Sequence, residues 1–198
     1  MHEHKVTDSV FKYIQDHCKH LRILALTKTT NMNGEKLSIL LQNSLITTLD
    51  FNLFTDIFDS STITGIITQE FLTHILGTRN HISTLNLYGQ SLLSSEFIQS
   101  IPFAIPTLIS LCVDQIPITD ECFTAISATQ VKRLSIIGTG VSGSIIKKAL
   151  QEPNLDRLYC GDDIGDDKVV CGSGWFVDEQ LDLFSLWNRS VNQYNFKS

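Results

Sequence analysis

The chain has 198 residues, 42% hydrophobic and 18% charged, with a formal charge of −6 and five cysteines. Such a composition supports a buried core and excludes a disordered chain. The acidic balance, with no run of Lys or Arg, excludes a general nucleic-acid binder. Cys18, Cys112, Cys122, Cys160 and Cys171 form no Cys-x-x-Cys pair and no zinc spacing, which reads as reduced thiols in a reducing compartment.

In chain order, "MHEHKVTDSV" lacks the apolar centre of a secretory leader, and no apolar run reaches membrane-spanning length. The expectation is a cytoplasmic protein with no membrane partner. His2 with His4, and His17 with His20, are read as a chain end and a helix end rather than as metal pairs.

A pattern apolar-x-x-apolar-x-apolar then recurs. It occurs at Leu21, Leu24, Leu26; at Ile46, Leu49, Phe51; at Ile82, Leu85, Leu87; and at Leu108, Leu111, Val113. It returns at Val131, Leu134, Ile136 and at Leu155, Leu158, Cys160. The first anchors lie 25, 36, 26, 23 and 24 residues apart, and the long interval suggests an insertion at Thr55 to Gly65. After the strand come further inward positions, Leu92, Ile118 and Val141, and then Phe97, Phe123 and Ile146 on a predicted helix. Asp120 and Ser94 or Ser95 suit helix starts, because short polar side chains accept orphan backbone N–H bonds.

This pattern resembles the leucine-rich repeats of the ribonuclease-inhibitor-like type. The opening "VTDSVFKYIQDHCKHLRILAL" is similar to the cysteine-containing repeats of F-box substrate receptors, through Thr7, Asp8, Cys18, Leu21, Leu24 and Leu26. "ITDECFTAIS" is similar to their helix opening. The resemblance implies an α/β solenoid, a horseshoe with a parallel concave sheet and convex helices. About six units would fill residues 1–163, with a helix capping the start and residues 164–198 covering the last stacking face. The Asn or Cys usual three residues beyond the last strand anchor is replaced by Thr29, Phe54, Gln90, Ile116, Thr139 and Asp163, so these turns need other partners. No F-box-like segment precedes the repeats.

Alternation sends the anchors inward and the residues between them onto the concave wall. Asp50, Asn52, Asn86, Tyr88, Asp114, Arg133, Arg157 and Tyr159 are the candidate contacts there, since Tyr and Arg combine apolar area with directional hydrogen bonds. The expected function is non-catalytic: a module binding another protein through this wall, with no cofactor and no metal. The resemblance suggests the substrate-recognition part of a ubiquitin-ligase-type receptor, or a host-directed bacterial effector.

A second reading, from a different class, rests on Gly138-Thr-Gly140-Val-Ser-Gly143. This is a G-x-G-x-x-G between strand and helix, with Asp162 placed for a ribose, as in an NAD- or FAD-dependent oxidoreductase. Against it, the stretch keeps the register of its sister units: Gly138 aligns with Gly89 and Gln115, Gly140 with Ser91 and Pro117, and Gly143 with Ser94 and Asp120. "CGSGW" at Cys171 places glycine where a papain-like nucleophile would stand. "GDDIGDD" at Gly161 lacks EF-hand spacing. The aromatic end, from Trp175 on, breaks the repeat and reads as a cap.

Overall fold

The structure is a computed structural model that describes residues 4–5, 7–26, 29–30, 32–52, 67–77, 81–151, 154–160 and 169–171. Its elements are β1 (His4–Lys5), α1 (Asp8–His17), β2 (Ile23–Ala25), β3 (Thr29–Thr30), α2 (Gly34–Gln42), β4 (Thr48–Asp50), α3 (Gln69–Leu76) and β5 (Thr84–Asn86). They continue as α4 (Ser95–Ala104), β6 (Ser110–Cys112), α5 (Asp120–Ser127), β7 (Arg133–Ser135), α6 (Gly143–Ala149), β8 (Arg157–Cys160) and β9 (Val169–Cys171).

The repeated apolar triplets produce one parallel sheet in the order β2-β4-β5-β6-β7-β8-β9, while β1 and β3 pair separately. The central anchors align across it: Leu24 with Leu49, Leu85, Leu111, Leu134 and Leu158 in turn. Every anchor except Leu21 is buried, and Leu21 packs against the same core. Each triplet is too short to hide its apolar side chains alone, so burial requires a neighbouring unit on either side. The helices close the other layer, each packed on the next from α1 to α6. The sheet extends beyond the six expected strands, because β9 lies inside residues 164–198 and joins β8 through Leu158 and Val169.

Two expected positions differ. Leu92 is exposed and Leu93 takes the core place, because the turn after β5 delays the inward side chain by one residue. The helix start at Asp120 is capped one residue earlier, by Thr119, whose hydroxyl accepts from the Cys122 N–H at 3.2 Å. Asn33, Thr68 and Ser94 cap α2, α3 and α4 in the same way. Asp120 instead reaches the next unit, accepting from the Ser142 N–H (2.8 Å) and hydroxyl (2.7 Å). Ser95 does likewise one unit earlier, accepting from the Thr119 N–H at 2.8 Å. The first residue of one helix thus pins the start of the following one.

The turns that lack the usual Asn solve the problem three ways. Gln90 reaches back to the preceding unit, donating to the Phe51 carbonyl at 2.5 Å and accepting from the Ile67 N–H at 2.9 Å. Ile116 is simply buried, and Thr139 donates locally to the Ile136 carbonyl at 2.8 Å. Just before these residues, Gly89, Gln115 and Gly138 all take positive φ, at +74°, +60° and +70°. The repeat therefore demands a left-handed residue three places beyond each of these strands, and only Gln115 meets that demand with a side chain. Gln115→Gly is expected to raise the unfolding free energy by about 0.5–1 kcal/mol, the relief exceeding the entropy that glycine adds to the unfolded chain. Urea titration of the two proteins measures it, and a loss of stability would refute the strain.

Candidate concave interface

The wall is a grid. β4, β5, β6, β7 and β8 place Thr48, Thr84, Ser110, Arg133 and Arg157 in one row. The next row is Asp50, Asn86, Cys112, Ser135 and Tyr159. Beyond the strand ends follow Asn52, Tyr88, Asp114 and Ile137, two residues further along each chain. All eight expected contact residues lie on this grid, but they divide sharply by burial. Asp50, Asn52, Asn86 and Asp114 are only 5%, 3%, 4% and 2% exposed. Tyr88, Arg133 and Tyr159 are half-buried, and Arg157 is exposed.

The buried acids and amides have work within the fold. Asp50 accepts from the Asn52 N–H at 2.9 Å and Asn86 from the Tyr88 N–H at 3.0 Å, so each closes the end of its own strand. Asp114 accepts from the Ile137 N–H at 2.8 Å, tying β6 to the following unit. Burial raises the Asp50 carboxyl to about 6, opposed by its backbone bond to Asn52. Burial also raises Asp114, against the favourable Ser135 hydroxyl, the Ile137 N–H and the Cys112 thiol. Tyr88 titrates above its ordinary range, first through burial and then through the charges of Asp114 and Cys112.

Ser110, Cys112 and Ser135 belong to the same centre, although they were not among the expected contacts. Alternation places them on the wall; only the stack shows that they sit at its middle. Cys112 is fully buried, and burial, then the Asp114 charge, push its thiol well above the usual range. A thiol held neutral in this way is the reverse of a nucleophile. Cys18, Cys112 and Cys122 form no disulfide. Among the described residues, no three His, Cys, Asp or Glu side chains converge on a possible metal position. His17 has a local role, stacked on Tyr13 with ring centres 4.4 Å apart and donating to the Tyr13 carbonyl at 3.1 Å.

The glycine motif has a structural account. Gly138 occupies the left-handed site shared with Gly89 and Gln115. A Cβ on Gly143 would meet nothing within 4 Å, so close helix–strand packing, the usual need for a third glycine, does not operate here. The described strands of the main sheet also follow one another in sequence order, without the reversal that opens a dinucleotide crevice. Asp162, the insertion at Thr55 to Gly65, "GDDIGDD", "CGSGW" and the aromatic end lie outside the described residues.

No family model and no curated protein matches this sequence. Among solved structures, it is similar to the leucine-rich repeat-containing protein LegL7 from Legionella pneumophila, with a TM-score of 0.53 at 18% identity. The match covers 80% of this chain and 54% of that one. The fold is a leucine-rich repeat solenoid. In this solenoid, the parallel sheet forms the wall described above and the helices form the outer layer.

Proposed function

We propose that this leucine-rich repeat solenoid is a non-catalytic recognition module that binds another protein through its concave wall. The observation that supports it most is the wall's composition. Half-buried Tyr88, Arg133 and Tyr159 stand around a centre of buried polar groups, within a rigid parallel sheet. Preorganised aromatic and Arg anchors around a desolvated centre are the usual makings of an interface hot spot. No described helix is long and apolar enough to cross a membrane. The free thiols favour a reducing, cytoplasmic setting. Within this reading, the Thr7-Asp8 … Cys18 … Leu26 opening favours a substrate-recognition part of a ubiquitin-ligase-type receptor. A host-directed bacterial effector would use the same wall.

The test is direct. With a partner captured from cytosol and then purified, Tyr88→Ala combined with Tyr159→Ala should weaken binding at least about tenfold, or 1.4 kcal/mol, with little loss of stability. Calorimetric titration and thermal melting check the two halves. An unchanged Kd would move the site off the wall.

A further inference from the structure

The centre of the wall has more acceptors than the fold uses. Asp50 and Asp114 face it from two strands apart, roughly 10 Å at ordinary strand spacing. Cys112 feels the charge of both. Among the described residues neither carboxylate is ion-paired, and no Lys or Arg figures among the influences on either. Tyr88 stands on the intervening unit, two residues beyond Asn86 of β5, with Asn52 and Asp114 at the equivalent positions of the units on either side. Two further polar atoms are buried there without a hydrogen-bond partner: the acceptor Asn52 Oδ1, in a residue 3% exposed, and the Ser110 hydroxyl, able to donate or accept, in one 1% exposed.

Buried acceptors lacking donors are costly, and a buried carboxylate without a counter-charge is costlier. The two carboxylates and the Asn52 oxygen give this part of the wall an excess of acceptors and of negative charge. A cation rich in N–H groups that can also lie on an aromatic face would complement it. A guanidinium has five donors in a planar fork and stacks on tyrosine; an ammonium has three donors and stacks less well.

We propose that the centre of the concave wall, formed by Asp50, Asn52, Tyr88, Ser110 and Asp114, receives a cationic side chain of the protein partner, arginine in preference to lysine. This rests on the reading of the wall as a protein-binding surface and specifies the partner's chemistry at its centre. The carboxylates supply charge, Tyr88 supplies a stacking face, and the amide and hydroxyl oxygens take the remaining donors. Arg133 and Arg157 continue the row of Ser110 on β7 and β8, so the wall runs from acidic to basic along the solenoid. A partner with a basic anchor at one end and an acidic one at the other would fit in only one direction.

The probe is N-acetyl-arginine amide, titrated into the full chain at constant ionic strength, with N-acetyl-norleucine amide as the control. Amide NMR shifts provide the readout. The expected result is a saturable response confined to residues 50–52, 86–88 and 110–114 for arginine, absent for norleucine. Asp50→Asn with Asp114→Asn should weaken it at least about tenfold. Circular dichroism confirms that this doubly substituted chain is folded, and Asp50→Asn alone serves if it is not. An equal response to norleucine, no saturable response, or an unchanged affinity in the Asn variants overturns the proposal. If the arginine response fails while Tyr88→Ala with Tyr159→Ala still impairs the purified partner, only the cation site is lost. If both fail, the wall itself is not the interface.

Discussion

Replacing Asp50 by asparagine should make the protein more stable above pH 6, by roughly 2–3 kcal/mol, and should flatten its stability between about pH 4 and pH 8. The carboxyl is raised from 3.8 to about 6 by burial. The folded state therefore holds its proton in a range where the unfolded chain has released it, and stability falls as pH rises from about 4 through 6. Below that window both states are protonated and the penalty vanishes. Asparagine removes the charge but keeps an acceptor for the Asn52 N–H. Asn86, in the same row one strand along, already makes this bond to Tyr88. Urea denaturation of both proteins across the window tests the claim, and parallel pH curves would sink it. Asp120 and Glu96 act in the opposite sense. Both are held low, half-buried Asp120 by its Ser142 bonds and exposed Glu96 first by its own backbone N–H, so their contributions are lost as pH falls. A position that is more stable with a neutral isostere points to selection for something other than stability, which fits a charge kept for binding.

The second large effect lies in the core. Leu111→Ala should cost about 3–4 kcal/mol, in the middle of the range for buried leucines. Leu111 is fully buried in the middle of the anchor row, between Leu85 and Leu134. Its loss opens a cavity that two neighbouring units share. Leu24, 7% exposed on the strand at the end of the sheet order, should cost about 2 kcal/mol when cut to alanine, since it has a neighbour on one side only. Chemical denaturation of the pair measures the gradient. Equal losses would mean that stability does not depend on stacking between units.

The repeat was legible because an apolar triplet at a steady interval has few ways to bury itself. Leu24, Leu49, Leu85, Leu111, Leu134 and Leu158 could be aligned on paper, and they align in the sheet. Leu92 and Leu93 show the limit of that reading: both are apolar, and a one-residue difference in the turn decides which is inside. The glycine motif shows another limit. Its letters suit a phosphate turn and a left-handed repeat turn equally, and Gln115, at φ +60° in the equivalent place, reveals which geometry the scaffold imposes.

The candidate site was legible as positions and not as roles. Alternation placed Asp50, Asn86 and Asp114 on the wall, because side-chain direction along a strand is a local property of the backbone. That Asp50 and Asn86 close their own strands, that Asp114 bridges to Ile137, and that Ser110 and Asn52 keep unanswered polar atoms depends on which units become neighbours. By itself, the order of residues determined the period, the inward anchors and the outward rows, all of which follow from local geometry and the need to bury apolar surface. The tertiary structure alone decided which polar groups lose water and which find a partner. Desolvation and hydrogen bonding across units arise only when the strands stack.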